Sequence, residues 1–503
     1  MFFSVVSYKD VPRQSRALAG TDRCFLLRDN WDDYMFKTSF VLVYFDSEGT
    51  RHDVGSVKIM SCGMSEGWVN VDDAFDKLPE EYASLGQDPE YYENLIGLGE
   101  RERVQILKAM RDVVWDAEVG ARVEHESAFK KSLMRGLRPV DVEKMGDILL
   151  ERAAPAAFRF TYSLSSGSDA RLEVDVKPNS NPPSNIHAII GRNGVGKTSL
   201  LRSMVQVLRD GSTSRGDILR MRRPSKDLER TSFANLVAVA FSAFDEFDPP
   251  VSKKGTGSGI RYTYVGLKKE QRKSGDATSL KRASDLKKEF IESTLVCLRS
   301  ARLPRWRMAM RVLETDPLFA ALGLVKLADL PQEQFAQEAG ELFDGASSGH
   351  KIVLLTMTRL VELVSERTLV LIDEPEAHLH PPLVAAFIRA LSNLLMTRNG
   401  VALLATHSPV VVQEIPASCV TLFFRTGNDI ELERPETETF AENLGALTRE
   451  IFRVELTESS HHALISKVVG LSSDFEQVLA AFDGQLGAEG RSVARSLLRG
   501  REV

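Results

Sequence analysis

Two stretches of this sequence carry residue types at spacings that suit chemistry on a phosphate chain. Gly191-Arg192-Asn193-Gly194-Val195-Gly196-Lys197-Thr198 fits the pattern GxxxxGK[ST]. Its glycines let backbone N–H groups face inward around phosphates, and a helix start behind them adds positive potential. Lys197 reaches the two outer phosphates, and Thr198 offers a hydroxyl to Mg2+. Ser199 lies at the same helix start. The second stretch is Leu369-Val370-Leu371-Ile372 followed by Asp373-Glu374, a Walker B pattern. Asp373 suits a magnesium ion, and Glu374 is placed to orient and deprotonate an attacking water. Either stretch alone fits an ordinary turn; together, in this order, they point to a nucleoside triphosphate and Mg2+.

Such a loop needs a strand in front and a helix behind. The apolar run 186–190 (IHAII) precedes Gly191, and a helical pattern follows Thr198. TLVLID (368–373) and VALLATH (401–407) flank the helical run PLVAAFIRALSNLLM, the strand-helix-strand rhythm of a parallel α/β sheet. LVAVAF (236–241) reads as a further strand of it. Upstream, 158–164 and 172–176 read as strands, and so do 2–8, 34–45 and 52–60, an antiparallel start. Residues 66–154 read as a mostly helical insertion, whose first part, Glu66 to Glu100, holds ten acidic residues and one lysine. The polar, Gly/Ser/Lys-rich stretch 252–279 reads as a long loop, and 281–365 as helical.

Composition narrows the class. The chain has 503 residues, 43% hydrophobic and 27% charged, which suits a soluble protein of two or three units and excludes disordered or collagen-like chains. A formal charge of -6 excludes a polycationic nucleic-acid coat. Cys24, Cys62, Cys297 and Cys419 show no CxxC spacing, against a zinc module or a secreted disulfide framework and in keeping with the cytoplasm. No run approaches the roughly 20 apolar residues of a membrane helix, so in transport another chain would have to form the pore, and no membrane is among the expected partners.

Gly345-Ala346-Ser347-Ser348-Gly349-His350-Lys351 opens a helical run, with Ser347 lying 26 residues before Asp373. In that position it resembles the LSGGQ signature of ABC-type ATPases, and His407-Ser408-Pro409 resembles their switch histidine. DEPEAHLHP (373–381) is similar to the soluble OLD/RecF/SMC-like branch, also called AAA_21, which includes ATPase subunits of bacterial anti-phage systems such as Septu; transporters typically continue DEPTSALD. The resemblance covers residues 155–425. It implies ATP and Mg2+ as cofactors, and ATP hydrolysis with Lys197, Glu374 and His407 as catalytic residues. His407 senses the γ-phosphate and helps hold Glu374 and the water. Ser347, Ser348 and Gly349 approach the γ-phosphate held by a second subunit, so an ATP-sandwiched homodimer is implied.

The expected fold is α/β: an ABC-ATPase head with a mixed or parallel P-loop sheet, an antiparallel β subdomain and an α-helical lobe, plus the N-terminal helical insertion. The expected division is 1–65, a β segment packing on the ATPase; 66–154, the acidic insertion; 155–250, the lobe with the P-loop; 251–350, a helical and basic lobe ending in the signature; 351–425, the core with Walker B and His407; and 426–503, a mostly helical tail. The sequence departs from the ABC pattern in places. ASSGH replaces LSGGQ, Phe241-Ser242 stand where a Q-loop glutamine is expected, and residues 377–380 replace the SALD of the D-loop. Phe158, Phe160 and Tyr162 are candidates for stacking on adenine.

Residues 251–290 carry eleven Lys/Arg against four Asp/Glu, and five arginines surround Trp306 between 299 and 311. This basic region suits DNA or RNA phosphates, with Trp306 available for stacking; the plainer reading pairs it with acids elsewhere, such as those of 66–100. Asp373, Glu376, His378 and His380 form an alternative metal set, against which the HLHP segment reads as a dimer-facing loop. No sustained heptad seam separates the P-loop from the signature, so the long arms of cohesin-like proteins are not expected. The 96 residues after His407 contain no DxD, so a built-in Toprim nuclease is not expected. An effector, by analogy an HNH- or Toprim-type nuclease, is then a separate chain. The competing expectations are a RecF-like repair ATPase acting directly on DNA and an energy-coupling transporter subunit.

Overall fold

The computed structural model describes every residue except 8, 11–17, 136, 138, 151–156, 165–169, 211–216, 220–232, 234, 242–246, 248, 250–259, 270–278, 299, 301, 331, 378, 428, 452–460 and 500–503. Numbered in chain order, the strands are β1 Phe2–Val6, β2 Arg23–Arg28, β3 Phe36–Lys37, β4 Ser39–Phe45, β5 Arg51–Ser61, β6 Gly67–Trp68, β7 Ala74–Phe75, β8 Tyr82–Gly86, β9 Phe158–Ser163, β10 Arg171–Val176, β11 Ile186–Ile190, β12 Asp217–Leu219, β13 Asn235–Ala240, β14 Arg261–Gly266, β15 Thr368–Asp373, β16 Val401–Thr406, β17 Val420–Thr426 and β18 Asp429–Glu433.

The central layer is a seven-stranded sheet in the order β14-β13-β15-β16-β11-β17-β18. Every neighbouring pair is parallel except β17 with β18. Its inner strands are apolar without alternation because both faces are covered: every residue of β11 and of β16 is buried. One face packs on the helical lobe, where Trp306, Phe290, Phe319 and Phe335 are fully enclosed. The other packs on the helix Lys197–Asp210 and on a three-stranded antiparallel sheet, β10-β9-β12. The α/β fold with a mixed sheet, an antiparallel β subdomain and a helical lobe is therefore as expected.

The front end has its own core. A six-stranded sheet in the order β7-β1-β2-β4-β5-β8 carries the helices Pro89–Gly97, Glu100–Met110 and Pro139–Leu149, with Phe3, Phe40, Tyr91 and Met110 among the enclosed side chains. This corrects the division at 65/66. β7 and β8 lie beyond it, yet they form the two edges of the same sheet, so the sheet runs across that boundary. The antiparallel start holds for β4 with β5, joined through the SEGT turn, and for β2 with β4, whereas β1 pairs with β2 in parallel. Two further strands depart from expectation. β14 lies inside the stretch read as a loop, and β18 extends the sheet past residue 425, where Glu431 and Glu433 sit opposite Phe424 and Leu422 of β17. Among the described residues of the tail, the helices His461–Leu471, Phe475–Ala481 and Ala488–Arg499 enclose a small core of Ile465, Val469, Val478 and Ala494.

Candidate functional site

Parallel strands carry ligands at their C-terminal ends, and the register here gathers the expected residues at one edge. Ile190 of β11 lies beside Thr406 of β16, and Asp373 of β15 lies beside Ala405. Gly191, Glu374 and His407 therefore leave the sheet side by side, and because β16 runs between β11 and β15, His407 stands between the glycine loop and the acidic pair.

Gly191 has no room for a side chain: a Cβ there would sit 2.3 Å from the Phe423 carbonyl oxygen of β17. Gly194 and Gly196 have φ values of 79° and 110°, which lets the loop turn its amides inward. Lys197 is buried, and its ammonium donates to the carbonyls of Gly191 and Arg192 at 2.8 and 2.9 Å. Burial lowers its pKa against the opposing pull of Glu374, Asp373 and Glu376. The Thr198 hydroxyl donates to Asp373 Oδ2 at 2.8 Å, so the two groups that suit Mg2+ already face each other. Arg192, Asn193, Gly194 and Ser199 are exposed, and Val195 is half-buried. Arg425, at the end of β17, brings a guanidinium nitrogen to 3.7 Å from where a Cβ on Gly196 would be. The sequence reading missed this cation, because only the β11–β17 pairing places it beside the loop.

Glu374 follows β15 with φ 48°, and its amide bonds to the Ala405 carbonyl at 2.8 Å, which fixes the turn. Its Oε1 lies 3.4 Å from His407 Nδ1. Glu376 approaches the same nitrogen at 3.3 Å, and its carboxylate also accepts from the Thr406 hydroxyl at 2.6 Å and from the His407 amide at 2.9 Å. Glu376, weighed in the sequence only as a metal ligand, is thus the clamp on the end of β16. Two carboxylates around one imidazole can pass a proton and hold a water against a phosphate.

Ser347 caps the helix Ser348–Leu363, accepting from the His350 amide at 3.4 Å, with His350 Nδ1 2.6 Å from the same hydroxyl. Ser347 and Ser348 are exposed and Gly349 is buried. Among the described residues no hydrogen bond joins these three to the glycine loop.

Several other candidate residues have surroundings that the sequence did not show. Phe160 and Tyr162 are buried, and the Tyr162 hydroxyl lies 2.7 Å from Ser203 Oγ of the Lys197–Asp210 helix, so neither ring can stack on adenine; the Phe158 side chain lies outside the described residues. Trp306 is fully buried and donates to Thr358 Oγ1 at 3.2 Å, which removes it as a stacking platform. Three of the arginines around it pair with acids, Arg302 with Glu90, Arg305 with Glu93 at 3.9 Å and Arg307 with Asp329 at 2.5 Å, while Arg311 is exposed. Lys269 pairs with Asp285 at 2.8 Å, and Lys268 donates to the Phe247 carbonyl at 2.9 Å. Arg299, Arg272 and Lys273 lie outside the described residues. The metal set of Asp373, Glu376, His378 and His380 does not assemble among the described residues. Asp373 turns to Thr198, Glu376 to His407, and His380 to Asp316, while His378 lies outside them.

Residues 302–413 match the family described as "AAA domain, putative AbiEii toxin, Type IV TA system". Over 508 residues the chain is 39% identical to protein ea59 of Escherichia phage lambda, covering 96% of each. Two solved ATP-binding cassettes of ABC transporters also align. One, in its ADP conformation, is 14% identical over 60% of this chain and 98% of its own, with a TM-score of 0.31. The other, nucleotide-free, is 13% identical over 61% of this chain and 100% of its own, also at 0.31.

Proposed function

The chain belongs to the family of protein ea59 of Escherichia phage lambda, and from that premise we propose that it is an ATP-hydrolysing switch of the ABC type that works as a pair and controls a separate effector. One observation carries the reading: the Glu374–His407–Glu376 cluster stands at the sheet edge beside the Thr198–Asp373 hydrogen bond. ATP with Mg2+ supplies the electrophilic γ-phosphorus and charge neutralisation on its oxygens. The backbone of Gly191–Lys197 wraps the phosphates, and Lys197 exchanges the loop carbonyls for phosphate oxygens. Thr198 and Asp373 hold the ion. Glu374 orients a water and accepts its proton, and His407, held by Glu376, fixes the Glu374 carboxylate and faces the γ-phosphate.

The exposed hydroxyls of Ser347 and Ser348, which make no bond to their own loop, suit a γ-phosphate held by a second copy. Closing two copies over two nucleotides then converts hydrolysis into a change of assembly. That the 39% identical relative is encoded by a phage supports a task in the contest between phage and host, with a nuclease of HNH or Toprim type as the controlled chain. The pairing of Arg302, Arg305, Arg307 and Lys269 with acids favours this over direct binding of DNA or RNA by the basic region.

Phosphate release and light scattering on the purified chain test the reading. Glu374→Gln should bind ATP, form a dimer with it, and hydrolyse about 100-fold or more slowly; Lys197→Ala should neither bind nor dimerise. Parent-rate hydrolysis by Glu374→Gln overturns the base assignment, and a monomer indifferent to ATP overturns the pairing. Co-purification from the native host with a nuclease whose cleavage follows the nucleotide state supports the effector. Salt-dependent DNA binding by the chain alone counts against it.

A further inference from the structure

We propose that Asp316, His350 and His380 form a binding site for a divalent transition-metal ion of the zinc class, distinct from the magnesium position at Thr198 and Asp373. Each comes from a different segment. Asp316 caps the helix Pro317–Leu322, His350 sits in the first turn of the signature helix, and His380 caps the helix Pro381–Met396. Their ligand atoms all lie within 4.8 Å of one another. His350 Nε2 is 3.5 Å from Asp316 Oδ1, and His380 Nε2 is 3.6 Å from Asp316 Oδ2. Tetrahedral zinc with bonds of about 2.0–2.2 Å sets its ligand atoms roughly 3.4 Å apart, so two of the three spacings already match.

His350 carries the argument. It is only 4% exposed, and its Nε2 makes no hydrogen bond although it faces a carboxylate. A buried polar atom left this way is costly. At the other end of the ring, Nδ1 lies 2.6 Å from Ser347 Oγ; with Nδ1–H donating to that oxygen, this is the outer hydrogen bond that orients a ligating histidine and leaves its Nε2 lone pair facing inward. In that tautomer the lone pair meets an ionised carboxylate 3.5 Å away, and a cation between them removes the repulsion. Asp316 is suited to that part: its Oδ1 accepts from the Leu318 and Phe319 amides at 2.9 and 3.2 Å, which holds the carboxylate in place between the two rings. His380 Nδ1 is 3.4 Å from the Leu383 amide, which also bonds the His380 carbonyl at 3.0 Å, so this ring can turn to ligate at little cost. Its side chain is 44% exposed and leaves a path for the ion. Two imidazoles, one carboxylate and a position open to water select zinc-like ions over Mg2+. The ion would staple the helical lobe and the signature turn to the loop that follows Glu374.

Titration of the chelator-treated chain with Co2+, followed by visible absorption in excess Mg2+ without nucleotide, tests the site. The expected result is one equivalent bound with four-coordinate bands, displaced by Zn2+, and a Zn2+-dependent rise in melting temperature. His380→Ala, on the exposed side of the cluster, should remove both effects. Ser347→Ala should weaken binding by roughly 10- to 100-fold, and His407→Ala should leave it unchanged. Absence of the bands and of the melting shift overturns the site. So does binding that survives in His380→Ala but is lost in His407→Ala, which would place the ion at the nucleotide edge.

Discussion

Glu93 of the front end and Arg398, 305 residues further along, meet in a two-pronged ion pair at the join between the two cores. Arg305 lies 3.9 Å from the same carboxylate, and Glu90 on the same helix turn takes Arg302. These side chains are only 10–18% exposed. Removing one partner of such a buried set strands the other charges, at a cost of about 3–5 kcal/mol. Glu93→Ala should lower the urea midpoint accordingly and open the join to protease. Combining it with Arg398→Met should cost less than the sum of the two changes, because the pair is coupled; simple additivity would show that the contact does not hold the join.

Glu376 binds the Thr406 hydroxyl and the His407 amide as well as facing the His407 ring. Its effect on hydrolysis therefore runs through the position of His407. Glu376→Ala should slow single-turnover phosphate release by up to about 100-fold, the scale on which a catalytic group displaced by about 1 Å acts, while equilibrium ATP affinity stays near that of the parent. A matching loss of affinity would mean that Glu376 serves the nucleotide directly.

Gly191→Ala tests the close approach of the loop to β17. The added methyl meets the Phe423 carbonyl oxygen at 2.3 Å, a backbone atom that cannot rotate away. The loop or β17 must shift, costing about 1–3 kcal/mol, and the phosphate cradle is lost with it. ATP binding should fall sharply in a chain that still unfolds cooperatively. Unaltered ATP affinity would show that the strand and loop separate freely.

The residues at the sheet edge were legible because their strands are buried on both faces. IHAII, TLVLID and VALLAT are mostly apolar and buried almost throughout, and each leads into the group that leaves the sheet. β14 was missed because RYTYVG lies at the sheet edge, half-exposed at its start. β2 was missed because arginines close both ends of RCFLLR. The plainer reading of the basic character around Trp306, pairing with acids of 66–100, holds for Arg302 with Glu90 and Arg305 with Glu93, although which acids meet which arginines across more than 200 residues only the packing decides. The cluster of Asp316, His350 and His380 has no sequence pattern at all; only the packing of the helical lobe against the signature turn assembles it.

The buried His187 of β11 gives a pH dependence with a definite sign. Burial, reinforced by nearby Arg434, lowers its pKa from 6.5 to about 4. Between those values the unfolded chain binds a proton that the folded chain does not, so this residue's contribution to stability falls as pH falls. It is intact above 6.5 and fully lost below about 4, a change on the order of 3 kcal/mol. Burial raises Asp112 and Glu90 to about 7 each, and their contributions run the other way across the same window, weakening as pH rises. The total curve therefore hides the histidine, and only a comparison isolates it. His187→Leu, measured by urea unfolding at pH 7 and pH 4.5, should gain on the order of 2 to 3 kcal/mol relative to the parent on acidification. Parallel losses in the two proteins would mean that His187 takes up its proton in the folded sheet as readily as in the open chain.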